Sequence, residues 1–480
     1  MSGGVLWTVE AMASAMRGRA RGVLPATTSG LSIDTRAIAP GETFFAITGD
    51  ARDGHDFVAA ALHAGAGLAV VSTNRQMELP PEAPLLIVDD VLDALRDLAR
   101  ASRARTQAKV IAVTGSVGKT GTKDALALVF ARQGATHASV ASYNNHWGVP
   151  LSLARCPQGA EFAIFEMGMN HAGEIAPLSQ LVRPQVAIIT TVEPVHLEFF
   201  PSVAAIADAK AEIFSGLMPG GAAVINRDNP HFARLRTAAR AAGVTRIVSF
   251  GEHAEADARL DKVALHPDCS AVSANILGTE VTYKIGAPGR HVVLNSLAVL
   301  ATVALLEADL ALAALALAEL APPAGRGARQ ELTVAGGSAL LIDESYNANP
   351  ASMRAALALL GQVPMGPRGR RIAVLGDMLE LGPQGRELHR ALVEPVLTHN
   401  VDLVFCSGPL MLALWEALPS ERRGGYAETA AELESVVIGS IHAGDAVMIK
   451  GSLGSKMGPI VKALTRKYSP QRPAAAAAQG

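Results

Sequence analysis

Cysteine is scarce in this chain. Cys156, Cys269 and Cys406 stand far apart, odd in number and outside any metal-ligand spacing. That excludes a disulfide framework or a cysteine-held zinc and points to a reducing compartment. Excess charge of either sign is also missing. The formal net charge is −2, which gives no basis for a general nucleic-acid or membrane-surface partner. Long apolar runs are absent too. The most apolar stretch, Leu297–Leu306, is stopped by Glu307 and Asp309, whereas a membrane span needs about 20 apolar residues. It reads as a buried helix. Met1–Glu10 has neither the basic start nor the apolar run of a signal peptide. The expectation is a cytoplasmic protein with no membrane insertion and no nucleic-acid partner, acting as a monomer.

What the chain does have is aliphatic bulk. It is 49% hydrophobic but only 4% aromatic, so alanine and leucine must build the core of a globular protein. At roughly 100–200 residues per domain, 480 residues suggest about three domains. Short apolar runs alternate with helical periodicity. Strands are expected at Leu68–Val71, Leu85–Asp89, Lys109–Val113, Phe162–Phe165, Val186–Thr190, Ala222–Ile225 and Arg246–Phe250, with a helix over Val91–Arg105. This alternation predicts parallel sheets covered by helices, an α/β fold. Leu294–Leu320 reads as one or two helices, and Ala321-Pro322-Pro323-Ala324-Gly325 then breaks the pattern. Strands recur at Ala339–Ile342, Ile372–Leu375, Leu403–Phe405 and Ala446–Ile449. The expected division is 1–107, 108–322 and 323–468, with a Pro/Ala-rich disordered tail over 469–480.

Thr114-Gly115-Ser116-Val117-Gly118-Lys119-Thr120 follows a strand and opens a helix. That context suits a phosphate cradle. Glycines let backbone N–H groups approach phosphate oxygens, and the helix N-terminus adds partial positive charge. Lys119 supplies a cation, Thr120 a hydroxyl for Mg²⁺, and Gly121 continues the first turn. Only two residues separate Gly115 from Gly118, against the four of the common P-loop, so ordinary GTPases and motor ATPases fit less well. Glu166 and His196 each follow a strand end. Strand C-termini of a parallel sheet converge on one crevice, so Glu166, His196 and Thr120 are expected to face one Mg²⁺-nucleotide. Composition alone makes Lys210, in a helical stretch beside Asp208, a solvated lysine.

Taken together, these segments resemble the Mur ligases of bacterial cell-wall synthesis. The resemblance runs from Ser32 to about Lys456 and rests on the short loop, on Asn144-Asn145 to Pro150, Glu166 to Ile175, His196 to Phe214, Gly289 to Asn295, and Gly325-Arg326. Asp343-Glu344-Ser345-Tyr346-Asn347-Ala348-Asn349-Pro350, Gly376-Asp377-Met378 and Asn170 to Ile175 look like the branch that adds D-alanyl-D-alanine. So does the stretch from Asp34-Thr35-Arg36 to Gly54-His55.

The resemblance implies three domains: a small N-terminal α/β domain that binds the UDP-muramoyl group, a central ATP-binding P-loop domain and a C-terminal Rossmann-like domain. It implies that ATP phosphorylates the carboxylate of a UDP-N-acetylmuramoyl-tripeptide, and that the amine of D-Ala-D-Ala displaces phosphate. By the same resemblance, Thr114 to Gly121 would hold phosphates and Lys119, Glu166, His196 and Lys210 would carry catalysis. Thr120, Glu166, His196 and a carbamylated Lys210 would hold Mg²⁺ at two sites. Asn295 would contact adenine, Arg326 the phosphates and Asp343 the ribose. Asp34, Arg36, Thr48 and His55 resemble the UDP-sugar site. Asn144, Asn145, Asn170 and His171 would line the muramoyl-peptide path, and Asn347 and Asn349 the acceptor site. Val117, Met169 and Val292 depart from the family pattern; Val292 leaves Asn295 as the one adenine candidate.

Two other readings compete. A different amino-acid ligase of this type, or a folylpolyglutamate synthetase-like enzyme, would share the loop but not Tyr346-Asn347-Ala348-Asn349-Pro350. A regulatory P-loop NTPase would bind nucleotide and join nothing; the Glu166, His196 and Lys210 constellation argues against it.

Overall fold

The computed structural model describes residues 4–49, 52–323 and 325–468. The tail expected to be disordered, 469–480, lies outside the described residues, as does Ala324 in the expected linker.

Among the described residues, three large sheets define three α/β units. The N-terminal sheet runs Arg19–Arg21, Leu85–Val88, Leu68–Ser72, Thr43–Phe45, Leu31–Ser32, parallel except at its first pair. The central sheet has nine strands. Thr136–Ala138, Phe162–Glu166, Lys109–Thr114, Val186–Ile189, Ala222–Asn226, Arg246–Gly251 and Ala258–Leu265 are parallel in that order. Ser270–Ile276 and Thr279–Ile285 then extend the edge as antiparallel strands. In the C-terminal sheet, Gly337–Glu344, Ala446–Lys450, Arg371–Gly376, Leu403–Ser407 and Arg423–Ala427 are parallel, and Ala328–Val334 pairs antiparallel at one edge.

The buried parallel strands coincide with the apolar runs of the sequence, and the helix over Val91–Arg105 has the expected bounds. Leu294–Leu320 resolves into two helices, Arg290–Leu305 and Leu310–Ala316, with Asp309 capping the second through Ala311 N–H and Leu312 N–H. The hairpin strands of 258–285 went unrecognised, because their exposed faces carry charged and small polar residues. A 3₁₀ turn at Gly54–Phe57 is capped by Asp53.

The three units are attached differently. One continuous apolar core joins Trp7, Met12, Leu68 and Leu98 of the N-terminal unit to Val110, Leu151, Phe165 and Phe214 of the central one. Trp7, 4% exposed, donates its indole N–H to the Ala154 carbonyl at 2.9 Å, and the Arg105 guanidinium stacks on its ring. Arg155 donates to the Leu31 carbonyl at 2.7 Å. The C-terminal unit keeps its own cores on the two faces of its sheet, and the hydrogen bonds that tie it to the central unit near the site are polar contacts of Arg326 and Glu380. Hydrophobic burial therefore fuses the first two units, while the third shares no apolar core with them among the described residues.

Trp7→Ala is expected to lower stability by about 3–5 kcal/mol and Trp7→Phe by only about 1–2 kcal/mol. The urea midpoint of the transition shared by the first two units reads the difference; equal small shifts for both variants would mean that Trp7 does not join them.

Candidate active site

The strand Lys109–Thr114 lies in the interior of the central sheet and delivers the glycine loop to its C-terminal edge. Thr114, fully buried, donates its hydroxyl to the Met167 carbonyl at 2.8 Å. Gly115 has φ +151° and presses on Thr190, where a Cβ would overlap the Thr190 hydroxyl. That hydroxyl donates to the Val117 carbonyl at 2.6 Å. Ser116 accepts from Glu193 N–H at 2.9 Å and donates to the Glu193 carbonyl at 3.1 Å. Gly118, φ +84°, caps the helix Lys119–Ala131, and a Cβ there would strike the Asn295 amide. Asn295 on the helix Arg290–Leu305 therefore packs directly on the loop. Gly121 has open space around it.

Lys119 folds back over the loop and donates to the Gly115 carbonyl at 2.8 Å. Burial lowers its pKa; the Glu166 charge opposes that shift and Arg326 adds to it. Thr120 donates to Glu166 Oε2 at 2.9 Å, and Asn144 donates to Glu166 Oε1 at 2.7 Å. Glu166 is 1% exposed, so its carboxylate is immobilised at both oxygens. Gly168 makes this possible: a Cβ there would collide with the Asn144 side chain.

Lys210 corrects the reading from composition. It is 2% exposed, not solvated. It lies near the end of the helix Val203–Ala211, and no hydrogen bond or ion pair reaches its amine among the described residues. Desolvation, then repulsion from Lys119, drive its pKa well below the usual lysine range. Two residues further on, Glu212 accepts from Gly173, Ile175 and Ala176 N–H at 2.6, 3.1 and 3.1 Å. This locks the Lys210 segment to the loop that carries Asn170 and His171. Asn170 N–H donates to Glu174, and His171 pairs with Glu174 at 3.2 Å and lies against Phe199.

His196, expected beside Glu166, instead pairs with Glu380 of the C-terminal unit, Nδ1 to Oε2 at 2.5 Å. No hydrogen bond among the described residues joins it to Thr120, Glu166 or Lys210. Arg326 reaches Ser142 Oγ of the central unit at 3.4 Å while stacking on Tyr346, and Ser142 lies 3.5 Å from the Thr120 hydroxyl. Asp343 accepts from Ser345 N–H and hydroxyl. Asn145 caps Gly148 N–H. Asn347 offers its carbonyl to Lys450, which also pairs with Glu344 at 3.1 Å. Asn349 is the N-cap of the helix Pro350–Gln362, in a capping box with Ser352. Its side chain is committed to the helix end.

Further away, Asp34 and Arg36 form an exposed ion pair that holds the Asp34 carboxyl down to about 2. Thr48 donates to Asp53, which also binds His55 at 2.6 Å; the buried His55 accepts from Ser72 N–H at 2.9 Å. Sequence reading missed Ser142, Thr190, Glu193, Lys450 and Glu380. None carries a local motif; each matters through a partner distant in the chain.

No three His, Cys, Asp or Glu side chains gather as a metal centre among the described residues. What the site offers is one pinned carboxylate, one hydroxyl and two partly or fully buried amines. The carboxylate and hydroxyl suit Mg²⁺, which keeps several waters and takes one or two carboxylates plus substrate phosphates, and Lys119 suits the phosphates.

Comparison with known proteins agrees along the whole chain. Residues 27–103 match the Mur ligase family catalytic domain, 113–303 the Mur ligase middle domain and 328–453 the Mur ligase glutamate ligase domain. A UDP-N-acetylmuramoyl-tripeptide--D-alanyl-D-alanine ligase of Rickettsia prowazekii is 32% identical over 90% of this chain and 94% of its own length. The ligase of the same name from Bacillus subtilis is 33% identical over 91% and 93%. The chain belongs to the Mur ligase family. Among solved structures, MurF of Acinetobacter baumannii superposes on this Mur ligase with a TM-score of 0.81 at 28% identity, covering 96% of this chain and 99% of that one. MurF of Thermotoga maritima in complex with ADP gives 0.73 at 25% identity, covering 91% and 97%. No helix among the described residues of this Mur ligase is long and apolar enough to cross a membrane.

Two outcomes check the geometry. Gly118→Ala places a Cβ on Asn295 in left-handed backbone, and ATP affinity by calorimetric titration is expected to fall about tenfold or more; unchanged affinity would mean the loop yields freely. Asn349→Ala is expected to cost about 1 kcal/mol of stability, with Asn349→Ser close to neutral. Equal thermal stability of the wild type and Asn349→Ala would remove the capping role.

Proposed function

We propose that this Mur ligase uses ATP to join D-Ala-D-Ala to UDP-N-acetylmuramoyl-tripeptide in peptidoglycan precursor synthesis. The observation that carries the reading is the chain of contacts from the phosphate loop through Thr120 and Glu166 to Asn144. It ties nucleotide binding to a segment the family uses along the peptide path. The end-to-end similarity to ligases of that name supports the same substrates.

In this reading the loop N–H groups and the helix N-terminus hold the β- and γ-phosphates. Lys119 leaves the Gly115 carbonyl to meet them. Thr120 and Glu166 would hold Mg²⁺, which would supply positive charge for the meeting of two anions, ATP and the peptide carboxylate. The tripeptide carboxylate oxygen attacks the γ-phosphorus, ADP leaves, and an acyl phosphate forms. The D-Ala-D-Ala amine attacks the acyl carbon, phosphate departs and the amide remains. Arg326 and Asp343 approach the nucleotide from the C-terminal unit, so ATP lies in the cleft between two units, a common place for ligands. Asn295 serves adenine from the loop side. Asp34, Arg36, Thr48 and His55 serve the UDP-sugar, and Asn170, His171 and Asn347 the peptide and its acceptor.

Lys210 acts as its carbamate. A buried amine without an acceptor, its pKa lowered, is held as the neutral nucleophile that CO₂ requires. The product is an anionic oxygen ligand suited to a second Mg²⁺, with His196 and Glu166 as further donors. The protein is proposed to work in the cytoplasm, where the nucleotide substrates are.

Product mass analysis after incubation with ATP, UDP-N-acetylmuramoyl-tripeptide and D-Ala-D-Ala is expected to give the pentapeptide and ADP. Rapid ADP release without D-Ala-D-Ala would count against the mechanism. Lys210→Ala is expected to lose most activity and keep its fold, with short carboxylic acids restoring part; full activity in Lys210→Ala would remove the carbamate.

A further inference from the structure

We infer that Glu380 is a positioning residue which, from the C-terminal unit, fixes the orientation and tautomer of His196 and makes the central site complete only when the two units are docked. The inference rests on the functional reading above for the role of His196 but on separate geometry for that of Glu380.

The contact has four features. First, it spans the domain boundary: His196 Nδ1 lies 2.5 Å from Glu380 Oε2. Second, it is doubled by backbone, since Glu198 N–H donates to the Glu380 carbonyl at 3.3 Å, and Gly382, in left-handed backbone at φ +60°, packs beside the Glu198 backbone. Third, both residues sit in left-handed backbone, His196 at φ +54° and Glu380 at φ +62°. Neither is glycine, and such strain persists where surrounding structure enforces it, commonly at functional sites. Fourth, Glu380 is held outward by its own domain. Met378 and Leu381 are buried in the C-terminal core, Met378 N–H donates to His389 Nε2 at 2.9 Å, and Leu379 N–H donates to Ser452 Oγ at 3.0 Å. The carboxylate between them projects across the cleft.

A carboxylate on Nδ1 selects the Nδ1–H tautomer of a neutral imidazole. Nε2 is then the lone-pair nitrogen, the form that can accept a hydrogen bond or bind a cation. Metal-binding histidines are oriented by this type of partner. Here the partner belongs to another unit that has no shared apolar core with the site. Docking of the C-terminal unit would therefore set His196, and separation would release it. The polar contact is well suited to repeated making and breaking, because the two units share no apolar core among the described residues.

The test uses the full-length, metal-free enzyme labelled with ¹⁵N-histidine. The His196 resonance is assigned by its loss in His196→Gln. The wild type is expected to show the Nδ1–H tautomer. Glu380→Gln keeps an acceptor and should keep that tautomer. Glu380→Ala should move His196 to the Nε2–H form or to exchange between the two. In kinetics, Glu380→Ala should lower kcat at least tenfold with KM for ATP changed less than about threefold, and Glu380→Gln should recover most of the loss. Unchanged kcat and unchanged tautomer in Glu380→Ala would overturn the inference. So would equal losses in both variants with His196 still Nδ1–H, which would assign Glu380 a role through its charge alone. Thermal unfolding of each variant checks folding, and Glu380→Leu, which keeps the bulk but removes the acceptor, carries the test with the same expected outcomes if Glu380→Ala does not fold. If the wild type makes no pentapeptide, the functional reading fails, while the tautomer comparison still decides the role of Glu380.

Discussion

Gly115 has to be glycine, and much of the central unit is arranged around that point. Its Cα presses on Thr190 at the end of the neighbouring strand, and Thr190 in turn clamps the loop through the Val117 carbonyl. Ser116 repeats the clamp one residue further on, through Glu193. A loop cinched to the adjacent strand end at two places keeps its N–H groups in a fixed array before any ligand arrives. Preorganisation of this kind is what makes electrostatic stabilisation effective, because the donors need not reorganise as charge develops. The unusual shortness of the loop follows the same logic: Val113 remains in the strand, and the turn is completed by side-chain clamps instead of extra glycines.

The manner in which the units are joined extends this constraint. The N-terminal unit is welded to the rigid loop-bearing sheet by a shared apolar core. The C-terminal unit, with separate cores, meets it through Arg326 and Glu380. An apolar interface resists opening in proportion to the area exposed; a few exposed polar contacts can be replaced by water at little cost. Motion is thereby assigned to one side of the cleft. Arg326 and His196 each make a contact across that cleft.

Much of the fold was legible because parallel strands buried on both faces read as continuous apolar runs. Ile111 to Val113, Ala187 to Ile189 and Val447 to Ile449 are of this kind, and all are fully buried. The hairpins of 258–285 were illegible for the converse reason. Lys262, Ser273 and Lys284 face solvent or the sheet edge, so the alternation is diluted, and the tight turn at Leu277-Gly278 gives little local warning. Arg423–Ala427 is an edge strand containing two glycines and reads as a loop. The site divides similarly. The phosphate loop is local, and its seven residues declare themselves. Glu166 was found from its place at a strand end, whereas the roles of Lys210 and Arg326 came through resemblance to a family. The His196–Glu380 pair joins residues 184 positions apart, and nothing in either neighbourhood announces the other. Asn349 shows the limit of a motif, since its side-chain oxygen caps a helix, a role that the motif does not announce.

The balance of charge in the cleft says what is missing from it. Lys119 and Lys210 are close enough for one to depress the other's pKa, and Arg326 presses on Lys119 as well. Against them stands Glu166, already holding a threonine hydroxyl and an asparagine amide. Two unit charges about 4 Å apart interact by roughly 4 kcal/mol at an effective dielectric near 20, so a cluster of cations with one engaged carboxylate is costly to keep fully charged. The protein has two ways to relieve that cost. One is to leave Lys210 neutral, which its burial favours. The other is to bring in anions, and the groups that fit are phosphates at the loop and a carbamate on Lys210 itself. Either remedy acts at the same place: the uncompensated positive charge lies beside the loop whose N–H groups are already fixed, so the side chains of the cleft favour an anion at that point over any other.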